Sequence, residues 1–366
     1  MSIANTVLTR GGNHEKPVPK LTEFWNRLKN MTSAGLFVLA FVLAFVPLLS
    51  SCATRRGEVQ AEEFFAIGMA FFDMGRFAEA ELWLNRALAS DRTMAASEYN
   101  LGRIAFETGR FEDAALLFER ILRQDPYNVM ALRAAAYSRI STGDLELADA
   151  LYARVLALVP ESADGGFNHA LVLFAMNRYE ESEAALNRHP HALEGNATSL
   201  LLLARAQRAQ ERIEAIDTYA RWLAAVSPAT PNPQGLFEFA RVLEAGGFYS
   251  RAIEQLEAAL EILETDTATL SRSTLRFEKA RVLLVADPEN EEGMIELNAA
   301  VLAGFSDTDA LEELLSDDRL LEEHVYAIRE ILSGIQARAV DRPPDDVPGD
   351  EPNNILDDIS DNDAPD

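Results

Sequence analysis

Gly75-Arg76-Phe77-Ala78-Glu79-Ala80 returns as Gly109-Arg110-Phe111-Glu112-Asp113-Ala114 and again as Gly143-Asp144-Leu145-Glu146-Leu147-Ala148, at a constant spacing of 34 residues. Outward from this stretch, Gly68, Gly102, Ala136, Ala170 and Ala204 keep the same interval, and Ala240 arrives two residues late. A fixed period of this length marks a repeat array, in which each unit packs on its neighbours and the core is spread along the chain.

Within each period, apolar residues recur at three- and four-residue spacings on both sides of a central turn, which predicts two amphipathic helices per unit. In the first unit Phe64, Ile67, Gly68 and Phe71 form one face, and Ala80, Leu84, Ala87 and Leu88 the other. Gly75 suits a left-handed helix stop between them. Asp125-Pro126, Pro160 and Pro228 close later units, since proline cannot continue a helix.

The three quoted turns, with Asn177-Arg178-Tyr179 and Gly246-Gly247-Phe248-Tyr249, resemble the inter-helix turn of the tetratricopeptide repeat family, and the small residues match its helix-packing sites. The resemblance covers residues 61–264, six units. It implies an all-α fold, a right-handed superhelical solenoid of helix-turn-helix repeats finished by capping helices. The fourth and fifth units are worn. His189-Pro190-His191 interrupts one second helix, and Ile216 replaces a small alanine, so looser or bent packing is expected there.

Beyond Glu264 the period fades but helical texture persists. Leu270–Ala286, Glu291–Ala303 and Ala310–Leu332 read as helices, the last ending near Gly334. Residues 265–335 are therefore a degenerate repeat and caps for the final apolar face. Residues 336–366 form an acidic, proline-bearing tail of disordered composition.

At the other end, Arg10, Lys16, Lys20, Arg27 and Lys29 precede the apolar run Ala34–Leu49, as in an export signal. Leu49-Ser50-Ser51-Cys52 resembles the lipobox of bacterial lipoproteins, which implies cleavage before Cys52 and lipidation of its thiol. Residues 1–51 are then a signal peptide or an uncleaved single-pass anchor. Residues 52–60 are the lipidated cysteine and a tether of at most about 30 Å. The expected location is the bacterial cell envelope, periplasm-facing or at the outer membrane, or the inner membrane if the anchor stays.

Among 366 residues, 59 acids against 33 bases give a net charge of −26, which disfavours nucleic acid as a partner. One cysteine permits no intrachain disulfide. No catalytic motif is present, and the chain is read as no enzyme, with no metal and no cofactor. His189 and His191 near Glu194 read as solvated turn residues, and Gly165-Gly166 as a helix-entry kink.

In this family the concave groove is lined by the first helices. The resemblance places Phe65, Met69 and Phe72 there from the first unit, Tyr99, Asn100, Arg103 and Phe106 from the second, and Arg133 and Tyr137 from the third. Phe167, Asn168 and Phe174 follow from the fourth, with Arg205, Phe237 and Arg241 beyond. Aromatics interleaved with arginine favour partner binding. Asn100 and Asn168 stand where relatives contact an extended peptide backbone. Phe65, Met69 and Ala134 replace the polar set of chaperone-tail clamps, so the expected partner is an apolar segment with acidic character. The acidic tail after Asp341 is expected to compete for the arginines. The function implied is a membrane-anchored, non-catalytic interaction scaffold. A transport accessory docking a solute-binding protein is the alternative.

Overall fold

The computed structural model describes residues 59–226, 232–263, 265, 267 and 270–340, and among these every regular element is a helix. The export-like segment, Cys52, Pro228 and the tail after Asp341 lie outside the described residues. No helix among the described residues is long and apolar enough to cross a membrane.

The chain falls into two compact units, the first ending at Ile104 and the second beginning at Ala105. In the first, α1 (residues 59–73) and α2 (Phe77–Ser90) form a pair, and α3 (Ala95–Glu107) contains the boundary. The second continues with α4 (Phe111–Gln124), α5 (Val129–Ser141), α6 (Leu145–Leu158), α7 (Ala163–Ala175) and α8 (Tyr179–Asn187). After the single turn α9 (Pro190–Leu193) come α10 (Ala197–Ala209), α11 (Ala215–Ala225), α12 (Pro233–Ala245) and α13 (Tyr249–Ile262). The last four helices are α14 (Arg272–Ala286), α15 (Glu292–Leu302), α16 (Thr308–Leu315) and α17 (Glu322–Val340). Consecutive helices pack as antiparallel neighbours along the second unit, an all-α solenoid of helix-turn-helix pairs.

The turn inside each of the six repeats uses the same device. Gly75, Gly109, Gly143 and Gly247 hold φ between 69° and 79°. At Gly75 the amide donates to the Phe72 carbonyl at 2.8 Å, and the Arg76 amide to the Phe71 carbonyl at 2.9 Å, which satisfies the last carbonyls of α1. In the worn repeats the left-handed position is taken by Asn177 (φ 60°) and Glu211 (φ 54°). Asparagine tolerates that region, whereas glutamate carries a penalty of roughly 1–2 kcal/mol. Glycine offsets part of this gain through its freer unfolded chain. Glu211→Gly is therefore expected to stabilise the protein by about 0.5–1 kcal/mol, read as a higher midpoint in thermal unfolding followed by circular dichroism.

Helix starts differ in chemistry. Four first helices are capped by a side chain: Asn128, Ser162, Asn196 and Asn232 each accept from the amide three residues on. Second helices at Arg76, Arg110 and Arg178 follow the left-handed turn with no side-chain cap, whereas at the equivalent Asp144 the carboxylate accepts from the Leu147 amide.

Small residues sit where helices touch. A Cβ on Gly68 would lie 2.9 Å from Leu84 Cγ, and one on Gly235 only 2.5 Å from Trp222 Cη2. Ser182, in the place of Ala148, donates to the Ala170 carbonyl at 2.7 Å. Ile216 does not loosen its repeat, because it is buried with Cδ1 against Gly246, which has no side chain to oppose it. Gly165 and Gly166 do not kink the helix start. Gly166 leaves room for the ring of half-buried His189, and Gly165 faces Ser162 and Val155. The core is deepest where Tyr219 stacks on Phe239 at 5.4 Å and meets Trp222 edge-on at 6.1 Å. A separate core, centred on Phe277 stacked on Phe305 at 4.1 Å, closes the array with α14–α17. Here α17 runs through Gly334 to Val340 instead of ending near Gly334. No neighbour opposes Gly334, and one helical glycine costs only about 1 kcal/mol.

Candidate functional site

The first helices carry their outward residues in three columns at the repeat interval. One column is Phe65, Tyr99, Arg133, Phe167 and Leu201. A second is Met69, Arg103, Tyr137, Leu171 and Arg205, and the third is Phe72, Phe106, Ile140 and Phe174. The structure gives the three columns different roles.

The third column packs inside its own repeats. Phe72 lies 5.6 Å from Phe77, Phe106 lies 5.0 Å from Phe111, and Phe174 meets Tyr179 edge-on at 5.2 Å. Each ring joins the end of a first helix to the first residue of the second, and Phe174 is only 7% exposed. These aromatics hold the turn.

The first column remains partly open. Phe65, Tyr99, Arg133 and Phe167 are all half-buried, as are Met69, Arg103 and Tyr137 in the second. In the first unit the Arg103 guanidinium sits 4.7 Å over the Phe72 ring. In the second unit Tyr137 lies 5.1 Å from Phe106, and Arg133 bonds Asp164 at 3.1 Å on the surface. The asparagines differ. Asn100 is 8% exposed and its amide donates to Ala96 O at 2.8 Å, so one of its two N–H donors is already used, whereas Asn168 is half-buried.

Arg205 leaves the surface altogether. It is 5% exposed and its Nε donates at 2.9 Å to Glu238, which also accepts from Tyr219 Oη at 3.1 Å. Burial alone would raise the Glu238 carboxyl, but the Arg205 guanidinium outweighs it and holds the group below the usual carboxylate range. Burial, with the Glu238 charge, pushes the Tyr219 phenol up.

The turn arginines have a role that the sequence reading missed. Arg178 bonds Asp149 at 2.5 Å in the preceding repeat, and Arg212 bonds Glu183 at 2.9 Å. Both members of the pair advance by one repeat, and that shared period was the available signal. Asp149 also bonds His169 at 2.6 Å; burial would raise its carboxyl, but His169 and Arg178 together hold it low. These clasps use up polar groups that could otherwise have served a ligand.

Farther along, Phe237 and Arg241 line a cavity of about 530 Å³ with Arg208, Ile213, Val242 and Gly246. Glu211 and Arg212 stand at the same cavity. No group of three potential metal ligands occurs among the described residues. The side chain of His191 lies outside the description, and His189 packs on Gly166.

Residues 65–129 and 133–197 match the family model for the tetratricopeptide repeat. A comparison with curated protein sequences gives no match. Among solved structures, the chain is similar to a tetratricopeptide repeat protein from Parabacteroides merdae at 18% identity, covering 76% of this chain and 99% of that one, with a TM-score of 0.50. It is also similar to MamA from Desulfovibrio magneticus (16% identity, 45% and 94% covered, TM-score 0.44) and to pilF of Pseudomonas aeruginosa (15%, 56% and 93%, TM-score 0.47). At these identities the likeness is one of fold.

Proposed function

We propose that this chain, whose residues 65–129 and 133–197 match the tetratricopeptide repeat model, is a non-catalytic scaffold that holds a segment of a partner protein on the first helices of its early repeats. A lipid on Cys52 ties it to a membrane of the cell envelope. The observation that carries the binding reading is the half-buried set Arg133, Tyr137, Phe167 and Asn168 on the first helices of the second compact unit. These side chains are held firmly by their helices yet retain uncovered area, so a partner gains contact without ordering them. Among the described residues Arg133 has only the surface Asp164 as salt-bridge partner, and such a pair is worth little and exchanges readily for an acidic partner. Asn168 adds a group that both donates and accepts toward an extended backbone. Phe106 and Phe174 support this surface by fixing the turns behind it.

The anchor reading rests on the basic flank, the apolar run Ala34–Leu49 and the one cysteine at its end. One acyl chain binds membranes reversibly, and two or more give stable attachment.

Crosslinking in cells followed by pull-down tests both halves. Arg133→Ala/Tyr137→Ala/Phe167→Ala is expected to lose the crosslinked partner at least tenfold with unchanged helix content. Cys52→Ala is expected to move the protein out of the membrane fraction. Full partner capture by the triple variant would place the binding surface elsewhere, and membrane retention of Cys52→Ala would identify an uncleaved anchor.

A further inference from the structure

The cavity between α10 and α12 differs from the rest of the surface in its charge. Arg178, Arg205, Arg212 and Arg281 all have carboxylate partners. Arg208 and Arg241 line the same cavity and make no salt bridge among the described residues, Arg208 acting only at longer range on buried Glu238, although acids outnumber bases 59 to 33 in this chain. Between them the lining is apolar, and Ile213 is left 65% exposed. Glu211 is the acid in this lining beside three arginines, and of these only Arg212 has salt-bridge partners among the described residues, Glu183 and Glu214.

We propose that this cavity is a docking site for the chain's own segment Ile355-Leu356-Asp357-Asp358-Ile359. The proposal is independent of the partner surface on the early repeats. The segment offers the complementary chemistry: three aliphatic side chains at positions i, i+1 and i+4, which share one side of a helical turn, with two aspartates between them. The aliphatic side meets Ile213, Phe237 and Val242, and the aspartates meet Arg208 and Arg241. Elsewhere after Asp341 the chain has Val347 as its one large aliphatic residue and is otherwise proline, glycine, Ala364 and polar side chains, the composition of a linker.

Reach supports the same occupant. Arg319 Nη1 donates to Tyr249 Oη at 3.1 Å, which brings the approach to α17 beside the start of α13. Three residues before Tyr249 is Gly246, on the cavity wall. The 19 residues of α17 carry the chain about 29 Å away. Residues 341–354 can span about 46 Å, more than the helix they retrace. A tether of this kind gives an effective concentration on the order of millimolar, so weak contacts suffice for occupancy.

The test uses the full chain and a version ending at Val340, titrated against a fluorescent peptide of residues 350–366 and read by anisotropy. The expected result is binding to the shortened chain at least tenfold tighter than to the full chain, because the full chain fills its own site. Arg208→Glu/Arg241→Glu in the shortened chain abolishes binding, and the milder Arg208→Gln/Arg241→Gln weakens it, with unchanged circular dichroism in both. Ile355→Ser/Leu356→Ser/Ile359→Ser in the full chain restores peptide binding. Equal affinity for the two chain lengths, or binding indifferent to both arginine pairs, overturns the proposal. So does tail-dependent dimerisation in sedimentation, which would place the segment in a second copy. None of these variants touches Arg133, Tyr137 or Phe167, so either reading can fail without the other.

Discussion

Arg205→Ala is expected to lower stability by about 3–5 kcal/mol, enough to unfold much of the second unit. The loss does not measure an attraction of that size. It reflects Glu238, which is 5% exposed and keeps its charge chiefly because the Arg205 guanidinium lies at 2.9 Å, with the Arg208 charge adding a smaller pull. Without Arg205 the carboxylate is buried with Tyr219 Oη and Gln234 as neutral donors, and it must either bear the desolvation penalty or take up a proton. The double variant Arg205→Met/Glu238→Leu separates these origins. Replacing the whole pair by apolar side chains should recover most of the stability, since well-packed apolar substitutes for buried pairs are often neutral or better. Urea unfolding of the three proteins gives the comparison. A single variant that loses under 1 kcal/mol would show that water reaches Glu238.

The second large effect is expected at Gly235 and Trp222. A Cβ at Gly235 would sit 2.5 and 2.6 Å from Trp222 Cη2 and Cζ2, and the indole is 2% exposed with Tyr219 against it. Gly235→Ala therefore forces the ring or α12 to move and should cost about 1–3 kcal/mol, against the usual gain from alanine in a helix. Trp222→Ala should cost about 3–5 kcal/mol through the emptied volume. The two are coupled. In the Trp222→Leu background Gly235→Ala should be close to neutral, because the atoms it would strike are gone. Equal costs of Gly235→Ala in both backgrounds would mean that the helices are not locked at this point.

The fold was readable because each repeat writes the same local chemistry at the same interval. Gly75, Gly109 and Gly143 are visible as left-handed stops without any tertiary knowledge. Glu211 was not, since glutamate gives no conformational hint and only its place one repeat after Asn177 marks it. The site was harder to read. Phe72, Phe106 and Phe174 lie at groove register, but each has an aromatic five residues later across the turn, a pairing outside the three- and four-residue logic of a single helix. Arg205 looked like a surface arginine because its partner Glu238 lies on the next first helix, 33 residues away. Column position could be read from one helix, but burial depended on what the neighbouring helix supplies.

The ladder of side-chain caps at Asn128, Ser162 and Asn196 bears on how such a gene can change length. Each repeat brings its own sealed beginning and its own left-handed stop, so neither end borrows a hydrogen bond from a neighbour. A duplication or deletion of one period joins a complete end to a complete beginning, and what the splice must repair is only the side-chain fit across the new seam. The two extra residues before Asn232 break that register, so a copy crossing them carries the offset along. The stretch before it behaves as a run of interchangeable cassettes, and the stretch after it as a fixed terminus.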